Sequence, residues 1–160
     1  MARGFGLFRK ALFAAFMALF VCAPSFAQAP PPVSPDAPKW DALGKIKVSI
    51  DKQGAYVGAY PPSIAAMHGK PYQITGYMVP LDEQPATNHF LLTRYPLTCP
   101  YCDPYDPTQS VEVFVKSPII VSFNALTVSG DFTLNKNSAD GLFYQMDVEK
   151  AGVKMLHAPK

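Results

Sequence analysis

Tyr72-Gln73-Ile74-Thr75-Gly76-Tyr77-Met78-Val79-Pro80-Leu81 reads as a β-strand, with Tyr72, Ile74, Tyr77 and Val79 as its apolar positions. The pattern repeats in short pieces downstream. His89 to Tyr95 carries Phe90, Leu91, Leu92 and Tyr95, and Val111 to Val115 alternates Val111, Val113 and Val115 against Glu112 and Phe114. Ile119 to Phe123 is a β-branched run. Leu126 to Leu134 carries Leu126, Val128, Phe132 and Leu134, with Gly130 marking a bulge or tight bend. Phe143 to Val148 and Val153 to Leu156 complete the series. Upstream, Ile46, Val48 and Ile50 alternate with Lys45, Lys47 and Ser49, the period of a half-buried strand, and Gln53-Gly54 reads as a turn. Pro61 to Gly69 is the best helix candidate, with prolines at its start and a glycine stop. Short strands punctuated by Pro, Gly and Asn indicate a mainly β fold, a compact antiparallel sheet or small barrel with one short helix.

Composition agrees. The chain has 160 residues, 49% of them hydrophobic, which is one domain with enough apolar material for a core. Its 17 prolines argue against a helical bundle or coiled coil. Residues 1–27 read as a secretory signal peptide: Arg3, Arg9 and Lys10, an apolar run from Ala11 to Ala23, and a small-residue site at Ser25-Phe26-Ala27. The apolar run is short of the ~20 residues of a membrane span. Cys22 lies within this segment, and Val21 before it does not suit lipid attachment. Residues 28–39 read as a proline-rich linker, and residues 40–160 as the single folded domain, starting near Trp40. Cleavage takes the basic count from 14 to 11 against 12 acidic residues, a net charge of −1. That balance gives no electrostatic footprint for nucleic acid or anionic lipid. The expected location is the periplasm, with no membrane span after cleavage.

Gly76-Tyr77-Met78-Val79-Pro80-Leu81, Phe90-Leu91-Leu92, Cys99-Pro100-Tyr101-Cys102 and Val111-Glu112-Val113 together resemble an uncharacterised family of exported bacterial proteins, domain of unknown function 3299. The resemblance covers roughly Gly69 to Met155. The order of pieces also resembles a five-stranded OB-like barrel. What the resemblance implies is a periplasmic home and a link to metal handling, since relatives are associated with metal-uptake gene neighbourhoods. It carries over no catalytic residue.

Cys99-Pro100-Tyr101-Cys102 is the strongest local chemical signal, and these are the only cysteines beyond Cys22. Three readings compete. Two thiolates at this spacing can hold a soft metal: zinc takes about four ligands, copper(I) two or three. A second Cys-x-x-Cys pair is missing, so completion would fall to His68, His89, His157, Asp103 or Asp106, with His89 nearest among the histidines. Thiol–disulfide exchange needs the first cysteine at a helix N-terminus. Pro104 and Pro107 leave room for one helical turn at most, and Asp103 and Asp106 would raise a nearby thiol pKa. The third reading is a structural disulfide shaping a proline-rich loop in an oxidising compartment.

The bland alternatives are specific. His68 reads as a residue closing the short helix, His157 as a tail residue and His89 as a strand-start surface residue. Met67, Met78, Met146 and Met155 are scattered, as core methionines are. Tyrosines and Phe90 can stack bases on an OB-like barrel, but the basic interleaving is absent, and sheet packing or a protein-binding face fits better. Hydrolase elbows, phosphate loops and dinucleotide fingerprints are lacking.

The leading expectation is a non-enzymatic periplasmic accessory protein. It would bind a thiophilic metal, zinc before copper, through Cys99, Cys102 and His89, and pass it to an envelope transporter or client. The rival is a non-catalytic envelope protein-binding module with a structural Cys99–Cys102 disulfide. A thiol–disulfide oxidoreductase stands third.

Overall fold

The computed structural model describes residues 34, 36–99, 102 and 106–156. The signal-peptide reading of residues 1–27, Cys22 and His157 lie outside these residues. Two short helices and nine strands follow in order. They are α1 (Ala37–Leu43), β1 (Lys47–Ile50), β2 (Tyr56–Ala59), α2 (Pro62–Ala65), β3 (Lys70–Pro80) and β4 (Ala86–Thr93). Then come β5 (Ser110–Ile120), β6 (Ala125–Leu134), β7 (Asn137–Ser138), β8 (Tyr144–Val148) and β9 (Val153–Met155). Single 3-10 turns at Pro107–Gln109 and Lys150–Gly152 precede β5 and β9.

Five strands close into a barrel in the order β3-β4-β5-β8-β6 and back to β3, the strand order of an OB-like barrel. Closure rests on β3, which pairs with β6 from Lys70 to Tyr77 and with β4 from Tyr77 to Pro80. The barrel is mixed, not wholly antiparallel as its sequence pattern implies: β5 and β8 run parallel from Glu112 to Val115. The cause is topological. A closed ring with an odd number of strands cannot alternate direction at every step, so one neighbouring pair must be parallel. β9 adds to β6, and β1, β2 and β7 form a separate three-stranded sheet.

Other departures from the sequence pattern have local causes. β5 is one continuous strand where Lys116-Ser117-Pro118 reads as a break. Its register against β4 shifts between Thr87 and His89, and Pro118 falls in that irregular stretch, where no ladder hydrogen bond is required of it. The expected helix at Pro61–Gly69 shortens to α2, and Gly69 takes φ +70° as β3 begins. The largest departure is α1. It starts at Ala37, with Pro38 in its first turn, where the proline count reads as linker and the Ile46-Val48-Ile50 alternation extends back toward a strand.

What holds α1 in place is the part of β3 that β4 does not cover. The Asp36 carboxylate accepts the backbone N–H of Thr75 at 2.9 Å, and the Trp40 indole N–H donates to the Thr75 carbonyl at 2.8 Å. Lys39 donates to the Gln73 carbonyl at 2.7 Å. Thus a helix, not a strand, satisfies these backbone groups below the point where β4 stops pairing. Trp40 and Leu43 are fully buried in the core with Phe90, Phe132, Phe143 and Tyr144. The Tyr144 hydroxyl donates to the Leu43 carbonyl at 2.6 Å, tying α1 to β8. Gly76 permits the approach: a Cβ there would lie 2.5 Å from the Thr93 carbonyl oxygen and 2.9 Å from the Trp40 ring.

Two expectations follow. Gly76→Ala is expected to destabilise the domain by at least about 2 kcal/mol, because backbone on one side and a buried indole on the other cannot both yield. Denaturant unfolding followed by fluorescence of Trp40, the sole tryptophan, measures this. An unchanged midpoint would contradict the close packing at Gly76.

The second concerns alkaline pH. Burial raises the Tyr60 and Tyr72 phenols from 10.0 to about 12, and Asp36 adds to the rise at Tyr72. Burial also raises Tyr144. The unfolded chain therefore releases these protons first. Their stabilisation is complete below pH 10 and is lost as pH climbs from 10 toward 12. Thermal unfolding across that window is expected to show a falling midpoint, with a shallower fall in Tyr60→Phe. An equally steep fall in that variant would remove Tyr60 as a contributor.

Candidate functional site

Between β4 and β5 the chain makes an excursion, residues 94–109, that carries the cysteines. Its neck is built from polar side chains. Arg94 donates from its backbone N–H to the Gln109 carbonyl at 3.2 Å. One guanidinium nitrogen donates to the Asp41 carboxylate at 2.8 Å and to the Gln109 side-chain oxygen at 3.1 Å. The guanidinium also lies over the Tyr95 ring, 5.2 Å from its centre. Asp41 belongs to α1, so the neck is fastened to the helix that packs on β3.

Asp106 ends the excursion as the N-cap of the 3-10 turn. Its carboxylate accepts from the Thr108 backbone N–H at 2.8 Å, the Thr108 hydroxyl at 2.7 Å and the Gln109 amide at 3.1 Å. Its carbonyl accepts from the Ser110 hydroxyl at 2.9 Å. With these donors around it, Asp106 is a structural cap. The signal was present in Asp106-Pro107-Thr108, a capping residue followed by a proline at the first helical position.

At the far end, Cys99 and Cys102 are joined by a disulfide, with Cα atoms 5.4 Å apart. Cys99 is 7% exposed, and its backbone N–H donates to the Pro96 carbonyl at 3.0 Å. Among the described residues, Cys99 is not at a helix N-terminus, the position that lowers a thiol pKa.

His89 lies elsewhere in the ladder. Its Nε2 pairs with the Glu112 carboxylate at 2.8 Å, and its ring stacks on Phe114 with centres 4.3 Å apart and planes 10° apart. All three residues sit on the paired strands β4 and β5. Among the described residues no group of three or more His, Cys, Asp or Glu is arranged to hold a metal ion, so His89, Cys99 and Cys102 are not brought together. His68 does not close a helix. It lies beyond the end of α2, and its Nδ1 accepts the Leu134 backbone N–H at 3.1 Å. Asp103 and His157 lie outside the described residues.

Beside the cysteine excursion is a shallow recess walled by Tyr77, Met78, Pro96, Leu97, Thr98 and Phe123. Leu97 is 42% exposed and Phe123 is 75% exposed. Two large apolar side chains presented at one recess are not a feature that strand periodicity can reveal. Leu97 belongs to the excursion and Phe123 to the turn between β5 and β6.

Loss of the Asp106 cap is expected to loosen the neck without unfolding the barrel. Asp106→Ala should cost about 1 kcal/mol in chemical denaturation. It should also speed hydrogen exchange at Thr108 and Gln109 while leaving Val113 and Met146 slow. Unchanged exchange at Thr108 would show that the carboxylate does not hold the turn.

Comparison with known proteins gives the fold a family. Among the described residues no helix is long and apolar enough to cross a membrane. No curated protein matches the chain. Among solved structures it is similar to the crystal structure of a DUF3299 family protein from Pseudomonas aeruginosa PAO1. The identity is 22%, covering 64% of this chain and 70% of that one, with a TM-score of 0.49. A family model described as "Protein of unknown function (DUF3299)" matches residues 45–153, which hold the whole barrel and the cysteine excursion, and the chain belongs to that family.

Proposed function

We propose that this protein is an exported, non-catalytic binding module of the cell envelope, and that the cysteine excursion is its docking element for a partner protein. The observation that carries the reading is the conjunction of a disulfide within the excursion, Cys99–Cys102, with two exposed apolar side chains at one recess, Leu97 and Phe123. Aromatic side chains such as Phe123 are enriched at the cores of protein interfaces, and Leu97 beside it adds apolar area to be buried. The polar neck of Arg94, Asp41, Asp106 and Gln109 supports the same reading, because neck side chains already held by hydrogen bonds lose less entropy when a partner binds. Disulfide formation fits the oxidising compartment that the signal-like opening segment implies.

Metal carriage through the same cysteines requires something further. Both thiols would have to be reduced and deprotonated, and a third ligand would have to reach them. His89 would first have to leave Glu112 and Phe114.

Photo-crosslinking in the living cell tests docking. A photoreactive residue replacing Leu97 or Phe123 is expected to capture the same discrete envelope protein. One replacing exposed Lys52 on the β1–β2 turn should not. Cys99→Ser with Cys102→Ser is expected to weaken that capture severalfold while the folded barrel persists. Capture that is equal at all three positions, or unaffected by loss of the cysteines, would overturn the proposal.

A further inference from the structure

A second surface feature has a different chemistry. A groove of about 590 Å³ opens between β2, α2 and the end of β6. Its walls are small or apolar: Gly58, Ala59, Ala65 and Leu134. Its polar residues are Tyr60, His68 and Lys136, and among the described residues no carboxylate lines it.

Each polar group has a definable role. The Tyr60 hydroxyl sits between two carbonyl oxygens, Asn135 at 2.5 Å and Phe143 at 2.9 Å, so its single proton is already committed. Burial pushes that phenol up to about 12, and it brings no negative charge to the groove at neutral pH. His68 accepts the Leu134 backbone N–H at Nδ1, 3.1 Å away. A neutral imidazole that accepts at Nδ1 must carry its proton on Nε2, so the ring's other nitrogen is a donor. Lys136 is held through its backbone, whose carbonyl accepts the Gly58 N–H at 2.9 Å. Its ammonium has no ion-pair partner among the described residues. Among the described residues, the groove's lining thus offers a lysine and a histidine N–H donor beside apolar walls, with no acidic group to oppose an anion.

We infer that this groove binds a small organic carboxylate with an apolar body, its oxygens taken by Lys136 and His68 and its body lying against Ala59, Ala65 and Leu134. Charge-assisted hydrogen bonds at one end fix orientation, and the apolar walls supply the contact area. This site rests on none of the residues assigned to partner docking.

Benzoate and its neutral analogue benzyl alcohol are the probes, followed by amide chemical shifts of the full domain. Benzoate is expected to give saturable shifts at Gly58, Ala59 and Leu134, and benzyl alcohol none at equal concentration. Lys136→Gln should weaken benzoate binding about tenfold, the scale of one lost charge-assisted contact. Ala65→Leu, at an exposed helical position, should abolish binding by filling the groove, with an unchanged unfolding midpoint. Long-range proton–nitrogen spectra should show His68 as the Nε2–H tautomer. Absence of saturable shifts, equal binding of the alcohol, full affinity in either variant, or an Nδ1–H tautomer would each overturn the inference.

Discussion

Both backbone polar groups of Thr75 are met by α1 and its N-cap residue, through the Asp36 carboxylate and the Trp40 indole. β3 must serve two neighbours to close the barrel, yet β4 reaches down it only to Tyr77. Below that point the strand edge would be left bare, and an unpaired buried peptide group costs about as much as a lost hydrogen bond or more. α1 removes that cost and fills the same place with apolar bulk, Trp40 and Leu43, both fully buried. Gly76 is the steric condition for all of this, since any side chain there collides with Thr93 and the indole.

The same helix reaches the candidate site. Asp41, one residue after Trp40, receives the Arg94 guanidinium at the neck of the cysteine excursion. An exposed ion pair alone contributes little, and Asp41 is 62% exposed at its side chain. Its value lies in the company it keeps: Arg94 also holds Gln109, and Gln109 also holds Asp106. Closure and presentation are therefore linked through adjacent residues of one short helix. A disulfide spanning three positions restrains little unfolded-state entropy, so its contribution is to the shape of the excursion.

Much of the barrel was legible in the sequence, because an alternating strand that buries one face must display a period of two. Val111, Val113 and Val115 are all buried, as their alternation with Glu112 and Phe114 requires. α1 was not legible for a related reason. Pro38 and its neighbours look like linker by composition, and only the unpaired edge of a strand some 35 residues away makes a helix useful there. The parallel β5–β8 pair is a property of ring closure, which no single strand encodes. The cysteine pair stood out by spacing, whereas the commitment of His89 to Glu112 and Phe114 depends on the register between β4 and β5. Leu97 and Phe123 line one recess from two separate connections, so neither segment alone announces it.

Whether Cys99 and Cys102 act as a covalent fastener or as thiolate ligands separates the docking module from the metal carrier. The most direct measurement is free-thiol count and metal content of the protein recovered from its native cells without chelator and with free thiols trapped at lysis, beside the Cys99→Ser, Cys102→Ser variant. The expected result is no free thiol at these positions and no bound metal attributable to them. Near-stoichiometric zinc or copper in the native protein, lost in the double variant, would contradict the fastener and return the two cysteines to metal chemistry.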